Sequence, residues 1–287
     1  MGTSRRPRVS ARVAGDRVRR VTPAADWPES WRHVYEFDRV ELFGDPSNPG
    51  HARAYRMRAR HLLEMAATVL RPGDRVLDLA AAQGNYTLWL AERGYDVTWN
   101  DLRADLEGYV RLKHDLGTVR YAPGNAFDLH FDRPFDLVVI TEIIEHVAHP
   151  DAFLAQVARL TRRGGYVLLS TPNGGYFRSG RPRFSDTSDA SQYEAMQFQP
   201  DASGHIFLLH EDEVAPLAQA AGLAVREVRL FTNPLTNGHV KTAWMHRVLP
   251  GALIDGAEAA TRALPRALVR RLHTAMAVLL QRTDGAA

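Results

Sequence analysis

From Asp74 onward the chain alternates short apolar, β-rich runs with longer stretches in which apolar positions recur every three or four residues. The runs predict strands at R-V-L-D-L-A (75–80), D-V-T-W-N (96–100), T-V-R-Y-A (118–122), D-L-V-V-I (136–140), Y-V-L-L-S-T (166–171) and V-R-E-V-R-L-F (225–231). Helical spacing fills the gaps at 84–93, 102–115, 150–161 and 211–221, the last closed by Gly222. This order is the pattern of βαβ units and a parallel sheet. Ahead of it, Ala52 to Leu70 reads as an amphipathic helix stopped by R-P-G, and the aromatic stretch 27–37 suits either core packing or a cleft cover. Leu264, Leu268, Leu272, Met276 and Leu279 fall on one helical face, predicting a C-terminal helical extension over 251–287. Such a helix would pack on the domain or form a homodimer, with membrane-surface docking as the alternative. Between them, 172–204 is rich in Gly, Ser, Asp and Pro. A loop of that length predicts a lid over an acceptor.

Charge sharpens the boundaries. The formal net charge is +3, yet Met1 to Arg20 holds seven arginines against one aspartate. Residues 1–25 therefore read as a basic disordered tail, and 26–250 as the main domain with a slightly acidic surface. That balance argues against nucleic acid as a partner, since only the tail is basic enough to follow phosphates. The chain contains no cysteine, so any metal site needs His, Asp and Glu. No apolar run reaches the roughly 18 residues that a membrane span requires, and a cytoplasmic location is expected.

In an open parallel sheet, ligands bind beyond the carboxyl ends of the strands. The first strand runs into D-L-A-A-A-Q-G, Asp78 to Gly84, a turn of small residues that lets a ligand approach the backbone. Ala80, Gln83 and Gly84 are candidates for that contact. Asp101 follows the second strand, where a carboxylate can accept both hydroxyls of a ribose. Asn125, in G-N-A-F-D, can read an adenine edge beside Ala126, and Thr141 closes the fourth strand. With a single glycine the turn lacks the G-x-G-x-x-G cradle for pyrophosphate. Two acids and no phosphate cradle suit a cationic nucleoside.

These residues, with F-D-L-V-V-I-T-E-I-I-E-H and R-R-G-G-Y-V-L-L-S-T-P-N, resemble the class I S-adenosylmethionine-dependent methyltransferases over Asp78 to about Phe231. The family motif D-x-G-x-G-x-G is met here with Ala80 and Ala82 in place of two glycines. The resemblance implies an α/β, Rossmann-like, doubly wound and mostly parallel seven-stranded sheet with helices on both faces. It also implies S-adenosyl-L-methionine as cofactor, held by Asp78, Ala80, Gln83, Gly84, Asp101, Asn125, Ala126 and Thr141.

The segment E-I-I-E-H carries the candidate chemistry. On a helical turn Glu142, Glu145 and His146 would share a face and suit a divalent cation, with His205 or His210 as a fourth ligand. Ubiquinone-pathway O-methyltransferases and small-RNA 2′-O-methyltransferases are similar here, with E-x-x-E-H, an S-T-P-N-like strand end and a later His. The RNA enzymes imply a metal on Glu142, Glu145, His146 and His205, with Mg, Mn or Zn as the ion; metal-free relatives share the motif. Without a metal, His146 or His149 is the candidate base, and Glu142 a cofactor ligand. The expected catalytic set is His146, Glu145 and His205. The expected reaction is O-methylation of a small molecule or saccharide, with a quinone or phenol precursor, or an RNA 2′-hydroxyl, as alternatives. A noncatalytic S-adenosylmethionine-binding module, or a nucleic-acid-associated protein using the tail, is the reading from another class.

Overall fold

The computed structural model describes residues 18–197, 204–237, 242 and 244–283. The expected tail falls largely on residues 1–17, outside the described residues. Seven strands, β1 (Arg75–Leu79), β2 (Asp96–Trp99), β3 (Thr118–Tyr121), β4 (Phe135–Thr141), β5 (Thr161–Pro172), β6 (Leu223–Phe231) and β7 (Ala275–Arg282), form one sheet in the order β3-β2-β1-β4-β5-β7-β6. All adjacent pairs from β3 to β5 are parallel, and β7 runs antiparallel to both β5 and β6. The chain leaves β1 for β2 on one side and β4 on the other, so the crevice for a ligand lies above the β1–β4 pair.

The helices are α1 (Glu29–Glu41), α2 (Pro49–Val69), α3 (Asn85–Ala91), α4 (Leu106–Lys113), α5 (Pro150–Leu160), α6 (Glu211–Ala220), α7 (Met245–Val248), α8 (Gly251–Arg262) and α9 (Arg266–Leu272). Strand alternation divides the core between two layers. Val76, Leu137 and Val139 pack with Leu62, Met65 and Trp89 on one face, and Leu77, Val138 and Ile140 with Leu154, Val157 and Leu217 on the other. Each such side chain, fully buried, contributes about 1.5–3 kcal/mol. Because both faces are covered, the central strands read as continuous apolar runs.

The expected helix at 264–281 is corrected. Pro265 starts the short α9, His273 ends it, and Met276 to Leu280 are buried within β7. Their i+4 spacing is shared by chance with a strand buried on both faces. This segment fills the gap between β5 and β6, so the main domain extends beyond 250, and Leu272, Met276 and Leu279 do not form a dimer stripe. Residues 18–25 are also placed on the domain: Arg19 donates its backbone N–H to the Lys113 carbonyl at 3.1 Å and pairs with Asp115.

Helix α1 is fixed by a buried polar network. Lys113 Nζ lies 2.6 Å from both Asp38 Oδ2 and Asn85 Oδ1, and the Tyr109 hydroxyl donates to Asp38 at 2.7 Å. Lys113 and Asp38 are both fully buried. The pair joins α1 to α4 and, through Asn85, to the start of α3. Trp27, Trp31 and Tyr35, partly buried, complete that side around Tyr109, whereas Phe37 is exposed.

Candidate functional site

The turn after β1 keeps a glycine-like backbone without the glycines. Ala80, Ala82 and Gly84 have φ of 51°, 47° and 72°. A left-handed alanine costs roughly 1–2 kcal/mol. At Gly84 a side chain is excluded for a further reason, because a Cβ would approach the Val110 methyl groups to 2.7 Å. The turn is held open by the buried Asp101, whose Oδ2 accepts from the Ala82 N–H at 2.8 Å. Beside it lies a cavity of about 630 Å³, lined by Glu41, Tyr55, Arg58, Ala80–Gln83, Asp101, Arg103, Thr141, Glu142 and His146, among others.

Within this cavity the candidate residues take different parts. Ala80, Gln83, Asp101 and Thr141 face it, whereas Asp78 and Gly84 lie beneath the turn and do not line it. The Asp78 carboxylate is buried, accepts from the Thr87 hydroxyl at 2.6 Å, and leaves Oδ1 unpartnered. Burial pushes its pKa up to about 7, with the Thr87 hydroxyl acting the other way. Asp78 is thus a support for the cradle and not a direct contact in this structure. Asp101 is engaged by Arg103, through the backbone N–H at 2.9 Å and the guanidinium at 3.0 Å. A ribose at Asp101 has to displace that guanidinium.

A second cavity of about 490 Å³ adjoins the first through Ala80, Leu102 and Ile143, and is lined by Asn125, Ala126, Phe127, Phe153 and His149. Its apolar walls suit a flat base. Asn125 is exposed, and its amide is held locally: Nδ2 donates to Asp128 at 2.8 Å and Oδ1 accepts from the Phe127 N–H at 3.2 Å. Asn100, which pattern reading did not single out, shapes this wall by donating to the Ala122 and Gly124 carbonyls.

The E-I-I-E-H segment folds differently from the expected helical turn. Glu142 has φ of 54°, the 3₁₀ turn Ile144–His146 follows, and α5 starts only at Pro150. The left-handed step turns Glu142 away from its neighbours. Its carboxylate pairs with Arg58 at 2.7 Å and accepts from the Ser170 hydroxyl at 2.8 Å. The expected four-ligand set is therefore not assembled: Glu145, His146 and His205 bring ligand atoms within 4.8 Å of one another, and Glu142 is not in that group. His210 also stands apart, capping α6 with Glu213, and His149 contacts Glu194 at 2.8 Å.

The three that meet have complementary states. Glu145 is fully buried, with Oε2 accepting from Thr171 at 3.0 Å and Oε1 unpartnered. Burial, then the nearby Glu142, pushes its pKa well above the usual range. His146 and His205 stack edge to face with centroids 4.7 Å apart. Burial lowers both imidazole pKa values, and at His205 the neighbouring His146 lowers it further. An orphaned buried carboxylate oxygen beside two imidazoles biased toward neutrality is a donor set that fits a divalent cation. His146 lines the first cavity, while His205 lines a third, of about 450 Å³, with Tyr176, Arg178, Ser179 and Arg181.

That third cavity is walled by the expected lid. In the described part of 172–204 the segment is anchored, with Arg183 on Asp212, the Ser185 N–H on Glu213, and Phe184 and Tyr193 against Phe207. It forms a wall of that cavity; residues 198–203 lie outside the described residues. Sequence pattern also missed Glu41, Tyr55 and Arg58, which come from α1 and α2 yet line the first cavity. Burial raises the Glu41 pKa against the opposing effect of its hydrogen bond to His51. An arginine amid the apolar positions of α2 was the one available signal.

Comparison with known proteins identifies the family. Residues 50–228 match the family described as Methyltransferase domain. The chain is 36% identical over 207 residues to the ubiquinone biosynthesis O-methyltransferase of Xanthomonas campestris, covering 70% of this chain and 79% of the relative. It is 29% identical over 154 residues to the fatty-acid O-methyltransferase of Mycolicibacterium smegmatis, covering 52% and 53% of the two chains. Among solved structures, magnesium protoporphyrin IX methyltransferase from Synechocystis, with bound S-adenosylhomocysteine, superposes with a TM-score of 0.54 at 12% identity, over 88% of this chain and 95% of that one. The fold, the cradle after β1 and the family match together place the chain among the S-adenosylmethionine-dependent methyltransferases.

Proposed function

We propose that the protein is a cytoplasmic O-methyltransferase that methylates a hydroxyl of a small acceptor, with Glu145, His146 and His205 at the reacting end. The observation that carries this reading is the contact between His146, on the wall of the cofactor cavity, and His205, on the wall of the cavity next to it. S-adenosylmethionine supplies the electrophilic methyl group. Asp101 and Gln83 bind its polar parts, and Asn125 and Ala126 flank its base. Without an ion, His146, biased toward the neutral form by burial, accepts the proton of the acceptor hydroxyl. Glu145, His146 and His205 would hold a divalent cation, which would lower the pKa of an oxygen beside it. No helix among the described residues is long and apolar enough to cross a membrane.

The acceptor class we favour is a phenol of the quinone-precursor type, because relatives at 36% and 32% identity are named ubiquinone biosynthesis O-methyltransferases. A saccharide or other natural-product hydroxyl is the second reading, supported by the polar lining from Tyr176 to Arg181. The test measures S-adenosylhomocysteine release with a catechol and with a sugar acceptor, before and after chelation. The proposal expects catechol turnover, a fall of at least ~100-fold in His146→Ala, and loss on chelation that added Mg²⁺, Mn²⁺ or Zn²⁺ restores. Turnover unchanged by chelation in the wild type and in Glu145→Ala would remove the cation; unchanged turnover in His146→Ala would remove the base.

A further inference from the structure

Helix α2 has two cationic faces. Arg58 points to the cofactor cavity, whereas Arg53, Arg56 and Arg60, three and four residues apart, turn to a separate cavity of about 200 Å³ closed on its other side by Asp255, Glu258 and Arg262 of α8. Four guanidiniums thus surround a space with two carboxylates. Those carboxylates are engaged: Asp255 by Arg53, and Glu258 by the Asn233 and Thr236 side chains. Among the described residues the Arg56 side chain makes no hydrogen bond or ion pair; burial and then Arg53 lower its pKa, with Asp255 acting the other way. The Nε of Arg53 is buried without a partner. His61 on the cavity floor sits between Arg262, 2.8 Å from Nε2, and Arg229, 3.5 Å from Nδ1. Burial and these two arginines take its pKa down to about 4, so at neutral pH it is uncharged and accepts a hydrogen bond from only one of them.

Arg53 is paired with Asp255 and Arg60 with Glu64, the latter at 2.8 Å, which leaves Arg56 and Arg262 as the guanidiniums of this cavity without a carboxylate ion pair among the described residues. We propose that the cavity between α2 and α8 is a binding site for a phosphate-class anion, with Arg56 and Arg262 as the principal donors and Arg53 and Arg60 around them. Guanidinium forks match the tetrahedral oxygens of such a group, and 200 Å³ admits one phosphate with its water or a pyrophosphate. The site joins α2, inside the residues matched to the methyltransferase family, to α8, outside them, and is independent of the acceptor reading.

The test titrates the full chain by calorimetry with inorganic phosphate and with pyrophosphate, at ionic strength held constant with chloride. The expected result is saturable binding at one site that weakens at least tenfold in Arg56→Gln and in Arg262→Gln, the loss of one charge-assisted pair. Among the described residues the Arg56 side chain has no hydrogen-bond or ion-pair partner to lose, so that variant should fold as the wild type does and bind S-adenosylmethionine unchanged. Vesicles of phosphatidylcholine with and without phosphatidylglycerol distinguish the source. Arg56-dependent retention on anionic vesicles, competed by free phosphate, assigns the site to a lipid headgroup; binding of the free anions without retention assigns it to a soluble phosphate. Phosphate heats no larger than those of chloride, with no Arg56-dependent vesicle binding, or full binding by both variants, would overturn the proposal.

Discussion

Replacing Asp38 with Asn strands the charge of Lys113 in the interior. Lys113 and Asp38 are completely buried, and the ammonium lies 2.6 Å from the carboxylate. In Asp38→Asn the Tyr109 and Asn85 contacts can persist, but the ammonium keeps only the Asn85 carbonyl oxygen as a hydrogen-bond acceptor. Removing one partner of a buried pair costs about 3–5 kcal/mol, a large share of the 5–15 kcal/mol typical of a domain. Substituting Met for Lys113 in the same background removes the stranded charge and should restore about 2–3 kcal/mol, so the double variant is more stable than Asp38→Asn alone. Burial already lowers the Lys113 pKa against the pull of Asp38. Without Asp38 it falls further below the unfolded value near 10.4, so between the two values the unfolded chain binds more protons and stability rises with pH. Urea titrations at pH 7 and 9, followed by tryptophan fluorescence and circular dichroism, measure all three effects. A loss under ~1 kcal/mol for Asp38→Asn, or additive losses in the double variant, would refute the reasoning. Glu41 lies one turn after Asp38 on α1 and lines the cofactor cavity, so the single variant should also bind S-adenosylmethionine more weakly.

Three further outcomes follow from the same geometry. Because the folded pKa of Asp78 is raised to about 7, the stability it contributes is full below about pH 4 and is lost as pH rises through 7; Asp78→Asn should flatten that slope and gain up to about 4 kcal/mol at pH 8, read from urea midpoints. Ala80→Gly and Ala82→Gly remove the left-handed penalty of roughly 1–2 kcal/mol while adding about 0.4–1 kcal/mol of unfolded-chain entropy, so each should raise stability by ~0.5–1 kcal/mol, and a destabilised glycine variant would contradict the strain. Arg103→Ala frees the Asp101 carboxylate and should tighten S-adenosylmethionine binding a few-fold by calorimetry with stability within ~1 kcal/mol, whereas Asp101→Ala should weaken it at least tenfold.

What the linear pattern determines here is local. Strands β1 to β6 were legible as short apolar, β-rich runs, because the central strands bury both faces, and helix α2 because period-3.6 spacing follows from the one face it buries. The small-residue turn after β1 and the neighbouring Asp101 were legible too, since their place beyond the strand ends is set by chain order alone. The last strand was not, because Leu272, Met276 and Leu279 satisfy helical spacing equally well, and only the vacant place between β5 and β6 makes this segment extended. The reacting cluster divides the same way. Glu145, His146 and His205 meet because the Ile206 N–H bonds to the Glu145 carbonyl at 2.7 Å, a contact sixty-one residues apart that anchors the segment bearing His205 beneath E-I-I-E-H. Glu142 leaves the group because its backbone pairs with Ser170 in β5 and turns left-handed there, which spacing on an ideal helix cannot express. Sequence by itself thus determined which residues are candidates for the chemistry; tertiary structure decided which of them touch, since backbone pairing and burial between distant segments set side-chain direction.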